Sequence, residues 1–226
     1  MWRELRDELQ PQGFEVVSVA VESRGAETAR EFVMAAQPTH PSLIDRDHVT
    51  TTLYGFVNVP SSVWIDEHGM LVRPPETVYA LRGLDPEIPG DATPEVVARI
   101  RGQLRLRSDS RRYVAALRDW VEKGAASRHV LPPEEVVRRS RPRPIEASLG
   151  AAEFALGARL HARGEIDRAA AHFKEARRLD PANWTWARQA FNLASDECER
   201  LYQTDLQREM RKPGVPPLYE PLDPSL

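Results

Sequence analysis

An α/β layer followed by an all-α helical region is the architecture this 226-residue sequence predicts. Three observations predict it. The β-branched run FEVVSVAV (14–21) stands between helical patterns at 2–9 and 26–37. Two short apolar runs, 62–66 and 70–73, are joined by DEHG, which reads as a hairpin turn. From residue 94 onward the apolar residues fall at helical spacing. A strand, a helix and then a hairpin imply a mixed sheet covered by helices.

Each element has a local reason. Trp2, Leu5 and Leu9 share one helix face, and Pro11 and Gly13 stop the helix. Ala29, Phe32, Val33 and Ala36 line one face of the next helix, which Pro38 and Pro41 end. PSLID (41–45) is a short extended segment, and 48–54 is a short helix weakened by three threonines. Gly69 supplies the positive φ that the hairpin turn needs. Residues 74–93 are rich in Pro and Gly and read as a linker. Thr93-Pro94 starts a helix to about 106. Ser108-Asp109-Ser110 offers a second cap, for a helix to about 123. LPPEEVVRRS is a short helix and RPRPIE a hinge. Helices are then expected at 146–163, 166–179 and 183–211, followed by an extended tail. The divisions are therefore 1–90 (α/β), 91–145 (connecting helices), 146–212 (helical domain) and 213–226 (Pro-rich tail).

Charge is unevenly spread. Residues 1–90 carry 7 basic and 14 acidic side chains, and 99–143 carry 13 basic and 5 acidic. With no aromatic interleaving among the arginines, the basic stretch is read as docking on the acidic first part or as a solvated helix face, not as a nucleic-acid site. No apolar run approaches the ~20 residues that cross a bilayer. No signal-peptide pattern opens the sequence, so a cytoplasmic chain is the expectation. A single cysteine, Cys198, excludes an internal disulfide. It lies in SDECERL, whose acids disfavour a thiolate. The six histidines show no ligand spacing, so no metal and no cofactor are expected.

The segments QGFEVVSVAVES and HPSLIDRDHVTTTLYGFVNVPSSVWIDEHGMLV resemble the second core strand and the later half of the thioredoxin-like superfamily, of the AhpC/TSA and TlpA/ResA-like kind. The resemblance spans residues 1–73. It implies that Pro60 is a cis-proline and that the backbone of Val59 faces an extended substrate. It also implies thiol–disulfide exchange or peroxide reduction by a Cys-x-x-Cys loop. That loop, and the central strand before it, have no counterpart in these residues, so no catalytic residue is assigned. Two strand edges would then face one another unpaired, at a cost of about 1–3 kcal/mol per buried group. The expectation is a reading frame that extends upstream of Met1 through a strand and a cysteine or selenocysteine loop. As written, the chain should be inactive in thiol chemistry. The alternative is a non-catalytic module that binds extended peptides.

Residues 150–183 resemble one 34-residue tetratricopeptide unit. Leu156 and Gly157 stand at the Leu-Gly pair, Leu160 at the large position of the first helix, Ala169, Phe173 and Ala176 on the second helix, and Pro181 at the closing turn. Glu153 stands where Trp is usual, with Phe154 beside it. One unit cannot bury its own apolar face, so it must pack on helices 94–140, on the α/β half or on another subunit. The partners implied are a protein or peptide, with a homo-oligomer possible.

Overall fold

A computed structural model of the chain describes residues 2–78, 87–140, 144–194 and 222–226. The first part is mixed α/β and the C-terminal region is helical. In order, the elements are α1 (Trp2–Leu9), β1 (Ser18–Val21), α2 (Ala26–Ala36), β2 (Ser42–Asp45), α3 (Val49–Tyr54), β3 (Ser61–Ile65) and β4 (Leu71–Thr77). The helices α4 (Pro94–Lys123), α5 (Pro133–Arg139), α6 (Ile145–Ala162), α7 (Ile166–Leu179) and α8 (Trp184–Ala194) follow.

The strands form two separate two-stranded sheets. β1 and β2 are parallel, with Ser18 opposite Ser42 and Val21 opposite Asp45. β3 and β4 form the antiparallel hairpin, turned at Gly69 with φ 79°. Residues 14–17, expected to belong to the first strand, lie outside it, because pairing with β2 begins only at Ser18.

β4 runs on through Pro74 and Pro75 to Thr77, where a linker was expected from residue 74. Prolines cannot donate to a ladder, and they are tolerated here by a bulge. Ser62 pairs with Glu76 and Trp64 with Arg73, so β4 carries one residue more than β3 across that stretch. The remainder of that expected linker includes residues 79–86, which lie outside the described residues.

α4 is one helix of 30 residues and not two. Thr93 caps it as expected, accepting from Val96 N–H at 3.5 Å. The break expected at Ser108-Asp109-Ser110 does not occur. Asp109 and Ser110 are buried within the continuous helix, whose next turns carry Tyr113, Ala116 and Leu117 into the core. Tertiary burial outweighs the few tenths of a kcal/mol by which Ser and Asp disfavour a helix interior.

Two apolar clusters organise the molecule. In the first, Leu5 and Leu9 of α1 and Trp64 of β3 meet Tyr113 and Leu117 of α4, with Leu222 from the C-terminal end. Trp64 stacks on Trp120 at 4.9 Å and its indole N–H donates to the Tyr113 hydroxyl at 2.6 Å. Arg118 of the basic stretch makes a bidentate pair with Glu8 of α1 (2.7 and 2.8 Å). Residues 222–226 are not a free tail: Leu222 is buried, and Asp223 pairs with Arg139. In the second cluster Phe154, Leu160, Ala169, Phe173, Ala176 and Trp186 join α6, α7 and α8. Residues 195–221, which hold the rest of the helix expected at 183–211 and most of the tail, lie outside the described residues. No helix among the described residues is long and apolar enough to cross a membrane.

Candidate functional site

The site is the junction of the loop before β3, the end of β1 and the start of α8. The Val59-Pro60 bond is cis. Asn58 is buried and organises the loop: its side-chain oxygen accepts from Val59 N–H (2.8 Å), and its carbonyl accepts from the Ser61 hydroxyl (2.8 Å). The Pro60 carbonyl accepts from Val78 N–H at 3.1 Å.

α8 meets this loop end-on. The first N–H groups of a helix have no partner within it. Here Trp184 N–H (2.7 Å) and Thr185 N–H (3.3 Å) donate to the Val57 carbonyl. Trp186 N–H donates to the Asn183 side chain at 3.2 Å. One turn on, the Arg188 guanidinium donates to the Val59 carbonyl at 3.0 Å. Both backbone groups of Val59 that the sequence marked for an extended substrate are thus held within the chain.

Gln189 reaches the other side of the junction. Its amide N–H donates to the Val21 carbonyl (3.1 Å), and its amide oxygen accepts from Ser23 N–H (3.0 Å). Ser18 N–H donates to the Pro41 carbonyl just before β2, and Glu22 N–H, just after β1, to the Asp45 carbonyl, so the odd-numbered residues turn their backbone groups the other way. Gln189 therefore bonds the edge of β1 that faces away from β2.

His48 completes the contact. It is only 2 % exposed, caps α3 in a left-handed conformation, and packs its ring against Phe154 of α6 at 4.7 Å. Its Nε2 lies 3.1 Å from the Ser23 hydroxyl, and its Nδ1 has no partner among the described residues. Burial pushes its pKa down to about 4, against the pull of Asp45, Asp47 and Glu22. Asp45 serves the α3 N-terminus, accepting from the N–H groups of Val49 and Thr50. A cavity of about 360 Å³ opens between the two regions, lined by Thr51, Phe56 and Val57 on one side and Ala147, Leu179 and Asp180 on the other.

The tetratricopeptide positions fall in the α6–α7 pair. Gly157 lets the helices approach: a Cβ there would sit 2.7 Å from the Phe173 ring. Leu160, Ala169, Phe173 and Ala176 are buried. Leu156 is largely exposed, and Phe154 fills the core in its place. Glu153 faces the partner helix, with a carboxylate oxygen 2.6 Å from His172 Nδ1. Pro181 is exposed, and its carbonyl accepts from Arg177 at 2.8 Å.

Among the described residues no cluster of His, Cys, Asp or Glu could hold a metal ion, and Cys198 lies outside them. Sequence reasoning did not single out Arg188 or Gln189, and it weighed His48 only for metal-ligand spacing. Nothing in the local pattern marks them, because their partners are backbone groups some 130–170 positions away. No family model, no curated protein and no solved structure matches the chain.

Proposed function

We propose that the chain combines a thioredoxin-like α/β unit with a tetratricopeptide-type helical unit, and that it binds extended polypeptide at the loop 57–60 without thiol chemistry of its own. The observation that carries this reading is the pairing at that loop. The carbonyls of Val57 and Val59 receive N–H donors from a distant element, as they would from an extended peptide laid beside them. The hairpin that follows the loop and the parallel β1–β2 pair agree with it. So does the close α6–α7 pair at Gly157. Thiol–disulfide exchange needs an attacking thiolate and a resolving thiol, and this sequence has one cysteine, set among acids.

The test uses the full chain with two probes. It should retain an alkylated, unfolded protein in a saturable manner and leave insulin disulfides intact. Reduction of insulin by the chain would overturn the reading, as would failure to bind the unfolded protein both in this form and with α8 weakened.

A further inference from the structure

We propose that α8 is a releasable plug over a strand-addition site on β1, and that an extended polypeptide running parallel to β1 displaces it. This rests on the peptide-binding reading and adds its regulation.

The geometry of Gln189 is the starting point. In a parallel ladder, a residue opposite position i donates to the carbonyl of i−1 and accepts from the N–H of i+1. Gln189 donates to Val21 and accepts from Ser23, which is the pairing owed by a strand residue opposite Glu22. One side-chain amide thus satisfies one residue's worth of edge at the end of β1, where the chain passes into the turn closed by Gly25 N–H on the Glu22 carbonyl. Further along the same edge, no group among the described residues pairs with the Val19 amide or carbonyl. A neighbouring strand would satisfy those too. The register of the two Gln189 bonds sets its direction as parallel to β1, and the occupant proposed is an extended segment of another polypeptide.

The plug is built to leave. α8 holds the loop and β1 through hydrogen bonds of Trp184, Thr185, Arg188 and Gln189, whereas Trp186, Ala190 and Leu193 pack in the cluster of α6 and α7. The contact also leaves polar and steric deficits. His48 Nδ1 and Trp184 Nε1 are buried without a partner among the described residues, and the 360 Å³ cavity is lined by Val57, whose carbonyl α8 holds. Buried unpaired groups and unfilled volume both weaken an interface. Polar contacts of this kind between units of one chain favour relative motion. A strand entering along β1 would replace the two Gln189 bonds in kind.

The experiment compares the full chain with its Arg188→Ala/Gln189→Ala variant. The probe is a fluorescein-labelled decapeptide of alternating valine and threonine with terminal lysines, read by anisotropy. Losing two contacts to the plug should tighten probe binding about tenfold, and bound probe should slow hydrogen exchange at the Ser23 amide. Gln189→Glu, which keeps an acceptor for Ser23 but loses the donor to Val21, serves if the double variant folds poorly; it should bind the probe more tightly than wild type, by less than the double variant. Equal affinity in wild type and variant would overturn the plug and leave peptide binding standing. Faster Ser23 exchange in the variant with no probe binding to either protein would overturn peptide binding itself. Unchanged Ser23 exchange in the variant would overturn the contact on which the proposal is built.

Discussion

The two sheets of this molecule have the same number of strands and opposite fates. The β3–β4 hairpin is completed within the chain. Trp64 is 3 % exposed, wedged between Tyr113 and Trp120 of α4, and Leu131 N–H donates to the Val72 carbonyl at 3.2 Å. Arg73 is buried against Glu76 and donates to the His129 carbonyl at 2.7 Å. The β1–β2 pair has no such cover. α2 beside it buries none of its residues, and Phe32 and Met34 are 75 % and 68 % exposed. A two-stranded unit is marginal by itself, so α4 stabilises one sheet, while the other leans on Gln189 and His48. The difference separates a sheet covered by α4 from one whose outer edge is met by the Gln189 side chain.

The largest expected effect breaks the covered sheet. Trp64→Ala removes the stack on Trp120, the Tyr113 hydrogen bond and the Arg73 guanidinium 5.5 Å over the ring. It should cost about 3–5 kcal/mol in urea unfolding. A loss under about 1 kcal/mol would mean the hairpin is not the fixed half.

His48 sharpens the comparison through pH. Its folded pKa is lowered to about 4 from an unfolded value of 6.5. Between these values the unfolded chain binds the proton and the folded chain does not, so stability falls as pH drops from about 6.5 to 4 and is flat in this group above that window. The loss should approach about 3 kcal/mol. His48→Asn, which suits the left-handed backbone at this position, should remove that slope. An identical pH dependence in both proteins would place the burial of His48 in doubt.

Gly157→Ala tests the helical unit. Its new Cβ meets the Phe173 ring at 2.7 Å, and overpacking of this kind should cost about 1–3 kcal/mol. The smallest effect belongs to the open sheet. Phe32→Ser should change stability by less than about 0.5 kcal/mol, since the ring touches little. A large loss on thermal unfolding would show that the face is covered in solution.

Much of the local structure was legible in the residues. The apolar spacing of α1, the turn at Gly69 and the cap at Thr93 act over a few positions, and they fold as read. Pro74-Pro75 argued against a strand, yet a bulge accommodates both, and that depends on the register of the opposite strand. Ser108-Asp109-Ser110 argued for a helix break, yet the core contacts of Tyr113 and Leu117 carry α4 through it. The site divides in the same way. Val59 and Pro60 were named through the resemblance carried by the segment 40–72, whereas Arg188 and Gln189 act on backbone groups, which leave no mark on residue type.

The central claim is that Gln189 stands in for a strand at the free edge of β1, and amide hydrogen exchange at Ser23 tests it most directly. Glu22 is the internal reference, because its N–H donates to Asp45 on β2. Gln189→Ala should accelerate exchange at Ser23 about tenfold or more while Glu22 stays as slow as in wild type. Ser23 exchange that is unaffected by the substitution, or that rises only together with Glu22, would contradict the account.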